Sequence, residues 1–135
     1  MITAVDTSVL IDVFGGDARF GVASANALRA CLNEGSVVAS DVVWSETRAA
    51  FGGDDEFLHA MEASRIGFSP TSQKTATLAG LTWKKYRASG GQRLRVIADF
   101  LIGAHAAVQC DRLLTRDRGY YRKYFGRLAI INPSA

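Results

Sequence analysis

Residues 4–14, AVDTSVLIDVF, pass from an apolar strand directly into a helix, with a single acid, Asp6, at the joint. Ile2 to Val5 is a short apolar run, and Thr7 to Phe14 has helical spacing until Gly15-Gly16 stops it. A strand that turns at once into a helix is the first half of a β-α-β crossover. If the step repeats, it selects the α/β class. Asp6, Thr7 and Ser8 each carry an oxygen able to cap the helix. One cap is needed, so the other two polar residues require a different reason.

The step does repeat. A helical pattern through FGVASANALRACLNEG ends at Gly35, where a left-handed cap is expected, and SVVAS reads as a second buried strand. Ser40 or Asp41 caps the next helix, VVWSETRAAF, which breaks at Gly52-Gly53. DDEFLHAMEASR gives an acid-started helix, IGFSP an extended piece, and TSQKTATLAGLTWKKYRASGG a long helix closed by glycines. RLRVIADFLIGAHAAVQC is a very apolar helix, DRLLTRD a strand with its exit, and LAIINPSA a last strand and tail. This alternation predicts an α/β fold: a three-layer α/β/α sandwich around a central parallel sheet of about four to five short strands.

The 135 residues suit a single domain spanning 1–135, and a chain of this size buries roughly two thirds of its unfolded surface. Hydrophobic residues at 48% with two prolines favour a packed core over disorder. The longest apolar run, VIADFLIGAHAAV, is interrupted by Asp99 and His105 and is short of a membrane span, and the N-terminus lacks an export pattern. The cytoplasm is the expected location. Cys31 and Cys110 have no partners at metal-site spacing and read as packed thiols. A net charge of +3 permits an acidic partner without requiring one.

Of the 13 acids, most have ordinary explanations. Asp17, Asp41, Asp54, Asp55 and Glu56 lie near helix starts, where the dipole favours negative charge; Glu34, Glu62 and Asp111 read as solvated ends, and Asp12 as exposed. Asp6, Glu46, Asp99 and Asp117 remain. Glu46 shares a helical stripe with Val42, Val43, Ala49 and Ala50. Asp99 shares one with Val96, Ile102, Gly103 and Ala106, whose small residues let other backbones come close. Asp6 and Asp117 each follow an apolar strand, and sites in open parallel sheets lie at the carboxyl ends of strands. Four carboxylates on one edge repel one another unless a cation holds them. All-oxygen ligation selects magnesium or manganese over zinc.

The segments VDTSVLIDVF, SDVVWSETRAA, LRVIADFLIGAHA and LLTRDRGYYRKYF resemble, in order and spacing, those of PIN-domain nucleases, in the compact form of VapC-type toxins from bacterial toxin–antitoxin pairs. The likeness runs nearly end to end and departs at Phe100 and Gly103, where the family has a smaller, alanine-rich run. It implies hydrolysis of RNA phosphodiesters by Asp6, Glu46, Asp99 and Asp117. It further implies Mg²⁺, or Mn²⁺, on Asp6, Asp99 and Asp117, and Ser8 and Thr115 as hydroxyls near metal and substrate. If Asp6 is a ligand, Thr7 or Ser8 is left to cap the helix. Glu46 then joins the metal shell or orients the attacking water. A cognate antitoxin and a homodimer are the partners it implies.

Basic residues gather before Asp99 (Lys84, Lys85, Arg87, Arg93, Arg95) and around Asp117 (Arg112, Arg116, Arg118, Arg122, Lys123, Arg127). They suit an RNA backbone, with Arg93 and Arg116 the expected contacts and Tyr120, Tyr121 and Tyr124 available to stack on bases. His105, on an apolar helix, reads as packed and His59 as exposed. Two other readings stay open: a binding-only module whose acids hold an Arg-bearing partner, and a PIN nuclease of RNA processing outside any toxin–antitoxin pair. A phosphoacceptor domain needs adjacent acids after its first strand, whereas Asp6 stands alone.

Overall fold

The computed structural model describes residues 1–90 and 95–133. Five strands, β1 (Ile2–Val5), β2 (Ser36–Ser40), β3 (Ile66–Ser69), β4 (Arg112–Leu114) and β5 (Ala129–Ile131), form one sheet in the order β3-β2-β1-β4-β5. Every pairing is parallel, with Ala4 opposite both Val38 and Leu113. Among the described residues the crossovers are built by α1 (Thr7–Phe14), α2 (Gly21–Glu34), α3 (Asp41–Ala49), α4 (Asp54–Ala63), α5 (Gln73–Ala88), α6 (Ile97–Gln109) and α7 (Arg118–Tyr124). Parallel neighbours require such crossovers, and helices cover the sheet on both faces. The result is the α/β sandwich expected from the alternation.

The chain leaves β1 toward β2 on one side, and leaves β4 toward β5 on the other. Strand order therefore reverses between β1 and β4, the position where open parallel sheets leave a crevice at their carboxyl ends. Asp6 follows β1, and Thr115 to Asp117 follow β4. The backbone links the two exits directly, since the Asp6 N–H donates to the Leu114 carbonyl at 2.9 Å.

Past their first residues the central strands are largely buried: Ala4, Val5, Val37, Ala39, Leu113 and Leu114 all lie in the core. The other half of that core is aromatic. Phe100 of α6 meets Tyr86, Tyr120 and Tyr124 at centroid distances of 5.3, 5.6 and 5.9 Å in edge-to-face or tilted contacts. Gly103, one turn on, is needed for a related reason: a Cβ there would fall 2.3 Å from the Phe125 ring. A ring, and not another backbone, uses the space. Phe100 and Gly103 are thus the two halves of one packing arrangement.

Several local expectations are corrected. Helix α7 is additional to the elements read from the sequence; its seven residues are too few to display a clear period. Helix α6 begins at Ile97, because Val96 is extended (φ −111°, ψ 166°). Gly35 ends α2 without a left-handed turn (φ 159°, ψ −148°); it is glycine because a Cβ would strike the Met1 carbonyl oxygen at 2.0 Å. Glu46 is exposed, and the inward residues of α3 are Val43 and Thr47. Asp12 is only 3% exposed and lies in the core. Glu34 is exposed at the end of α2, as expected, and its carboxylate lies 2.8 Å from the Arg112 guanidinium.

Candidate active site

Asp6 is the N-cap of α1 after all. With φ −81° and ψ 152° it accepts the Thr7 N–H on Oδ1 at 2.8 Å, so neither Thr7 nor Ser8 performs that task. Its second oxygen does other work: Oδ2 accepts the Thr115 hydroxyl at 2.7 Å and the Tyr121 hydroxyl at 3.3 Å. Thr115 Oγ1 in turn accepts the Asp117 N–H at 2.9 Å. One hydroxyl at the end of β4 therefore fixes both the β1 acid and the loop that carries the last acid.

Burial is the largest influence on Asp6 and raises its pKa above the ordinary carboxylate value. Hydrogen bonds from Thr115, Thr7 and Tyr121 oppose this, and the Asp117 charge adds to it. The Tyr121 hydroxyl is held well above its usual range by burial first and then by the charges of Asp6, Asp99 and Asp117 among its neighbours. Of these acids, Asp6 is the one in hydrogen-bond contact with the phenol. Tyr120, also buried, is raised by burial and by Asp99 and Asp117. Neither tyrosine is available to stack on a base, and Tyr124 packs on Tyr86.

Each remaining acid has its own partner. Glu46 Oε1 accepts the Thr7 hydroxyl at 2.7 Å, which places it beside the start of α1 at the rim. Asp99, at the third position of α6, accepts the Val96 N–H at 3.2 Å. Asp117 Oδ2 lies 2.6 Å from Arg95 Nη1. With the acids so engaged, no group of three or more carboxylate, imidazole or thiol side chains among the described residues is set out as a ready metal cluster. The donors at the strand ends are nonetheless all oxygens, the chemistry that Mg²⁺ or Mn²⁺ accepts. Two hydroxyls in these segments, Ser8 Oγ and Tyr120 Oη, are buried without a hydrogen-bond partner. In chemical type, though not in a preformed cluster among the described residues, these donors suit a hard divalent ion.

The basic residues divide sharply. Arg116 was expected to meet substrate, but its Nε and Nη2 donate to Asp12 at 2.7 and 3.1 Å while its guanidinium stacks on Phe20 at 4.0 Å. Asp12 also accepts the Ser24 hydroxyl at 2.9 Å. This clamp ties the loop between Thr115 and Asp117 to α1. Arg112 starts β4 and lies at the opposite edge, donating to Thr3 at 2.8 Å. Arg93 lies outside the described residues. Arg118, Arg122, Lys123 and Arg127 are exposed.

In the sequence Asp12 reads as exposed and Arg95 only as one of a basic cluster, though a signal for the first existed. Val9, three residues earlier, puts Asp12 on the inward stripe of α1, the same test that drew attention to Asp99. His105 is packed as expected: it is buried, its Nε2 lies 2.9 Å from Ser69 Oγ, and burial lowers its pKa. His59 is exposed, and Cys31 and Cys110 are free thiols.

Residues 3–126 match the model of the PIN domain, and the chain belongs to that family, which is of nuclease type. Its fold is similar to that of several solved complexes. VapBC2 from Rickettsia felis bound to a DNA fragment from its promoter superposes with a TM-score of 0.75 at 18% identity, covering 98% of each chain. VapBC-1 from nontypeable Haemophilus influenzae gives 0.74 at 16% over 100% of each chain, and FitAcB from Neisseria gonorrhoeae 0.70 at 22% over 99% of each. At these identities the likeness is one of fold. No curated protein matches the chain in sequence.

Proposed function

We propose that this PIN domain is a metal-dependent endoribonuclease acting as the toxin of a toxin–antitoxin pair. The observation that carries the reading is the Thr115 hydroxyl, which donates to Asp6 Oδ2 and accepts the Asp117 N–H, so that the acids after β1 and β4 meet at the edge where strand order reverses. Similarity of fold to structures described as toxin–antitoxin complexes supports the biological setting.

Asp6, Asp99 and Asp117 would hold Mg²⁺ or Mn²⁺, which when bound supplies charge to the phosphate and acidifies a water. Thr115 keeps Asp6 Oδ2 and the Asp117 backbone in fixed relation, and Ser8 offers its free hydroxyl in the first turn of α1. Glu46, exposed at the rim, takes the proton of the attacking water. In the balanced reaction, water oxygen bonds to phosphorus, one P–O ester bond breaks, and the departing oxygen ends with a proton. Arg118, Arg122 and Lys123, which are exposed, would follow the RNA backbone.

The partners proposed are RNA, a cognate antitoxin and a second copy of the chain, and the setting is the cytoplasm. Among the described residues no helix is long and apolar enough to cross a membrane. The test is induction of the chain in cells, with and without the product of any small neighbouring gene, followed by sequencing of RNA 5′ ends. New cleavage ends that vanish in Asp6→Asn and on co-expression support the reading. Ends absent with wild type, despite folded protein and added Mn²⁺ in vitro, overturn it. Cleavage that no neighbouring product suppresses leaves a nuclease and removes the toxin.

A further inference from the structure

Arg95 stands two residues before α6, in the middle of the acidic edge. Its Nη1 lies 2.6 Å from Asp117 Oδ2, and its guanidinium carbon sits 4.1 Å from the centre of the Tyr120 ring. One guanidinium thus pairs with one of the three acids proposed to bind metal and covers the ring of Tyr120. Arg116, the residue before Asp117, is engaged elsewhere, its guanidinium held by Asp12.

We infer that Arg95 is the resident cation of this edge: it orients Asp117 in the metal-free protein, and a divalent ion must displace it from that carboxylate. This rests on the metal reading given above. An oxygen accepting a charge-assisted hydrogen bond at 2.6 Å has a lone pair engaged that a metal would need, and a guanidinium beside a dication repels it. The pair is partly open to solvent, with side chains 30% and 41% exposed, so exchange has a route. Stacking on Tyr120 keeps the displaced group near the site and makes the exchange reversible. Arg95 is therefore a positioning residue that sets how readily the site loads.

The experiment is direct Mn²⁺ binding by calorimetry to the full chain and to Arg95→Gln, Asp117→Asn and the double variant, with circular dichroism to verify folding. Removing one opposing unit charge and freeing Asp117 should tighten Mn²⁺ about tenfold in Arg95→Gln. In the Asp117→Asn background the same substitution should change the affinity less than about twofold, because the carboxylate for which the two cations compete is gone. Should the Gln variant not fold, Arg95→Met, which keeps apolar cover on Tyr120, is expected to give the same tightening. Equal or weaker Mn²⁺ binding in the Arg95 variants, with wild type binding measurably, overturns the inference and leaves the metal reading standing. Absence of binding by wild type and variants alike overturns both. An equal gain in the Asp117→Asn background would overturn the assignment of Asp117 as the contested ligand.

Discussion

Replacing Asp12 by Ala tests the clamp that orders the β4 exit. The carboxylate is 3% exposed and receives three hydrogen bonds, two from Arg116 and one from Ser24. Removing it leaves the Ser24 hydroxyl buried without an acceptor, which costs about 1–3 kcal/mol. It also strands the Arg116 charge, for which a fully buried pair would lose about 3–5 kcal/mol. Since the Arg116 side chain is 29% exposed and can turn toward water, the second figure must be cut substantially. A combined loss of about 3 kcal/mol is expected. In a chain of this length each kcal/mol moves the melting temperature by about 3–5 °C, giving a fall of roughly 9–15 °C. Thermal and urea unfolding of Asp12→Ala measure it. Asp12→Leu with Arg116→Met should recover most of the loss, because a matched apolar pair leaves no stranded charge. A fall below about 3 °C would refute the reasoning, showing that the pair is not a buried support of the fold.

The other expectations concern the site, the core and pH. Asp6→Asn and Asp99→Asn should each abolish RNA cleavage in protein that still folds by circular dichroism, since each removes a carboxylate proposed to hold the metal at nearly constant side-chain volume; activity within severalfold of wild type in either variant contradicts the assignment. Millimolar Mn²⁺ should raise the wild-type melting temperature and leave that of Asp6→Asn nearly unchanged, because only the native site binds the ion. Gly103→Ala forces a methyl to 2.3 Å from the Phe125 ring and should cost about 1–3 kcal/mol, with partial recovery in Gly103→Ala/Phe125→Leu, measured by denaturant unfolding. His105 is held below its ordinary value of 6.5 by burial, so the unfolded chain protonates first on acidification. Its stability contribution is full above about pH 7 and is lost as pH falls below 6.5, and His105→Gln should flatten that part of the stability profile.

The order of elements was legible in the sequence because its signals are local. Strands buried on both faces read as apolar runs, helices as 3.6-residue periods, and glycine pairs as stops. The four catalytic candidates were singled out because an acid after a strand or within an apolar stripe is a local contradiction, and because the segments around them resemble one family. Pairing across the sheet was not. Asp12 reads as one more helix acid until α1 is laid beside the β4 exit, where Arg116, 104 residues away, needs a counter-charge. Glu46 reads as an inward residue because Val42, Ala49 and Ala50 permit two stripes, and only docking of α3 through Val43 and Thr47 chooses between them. Tyr120 and Tyr121 could face RNA or the core, and Phe100 with Gly103 decides for the core by making room for an aromatic layer. Arg95 was visible as a positive charge, and its partner was not. Periodicity says which side of an element turns inward, whereas the identity of what it meets depends on contacts closed over long loops, and those exist only in the folded chain.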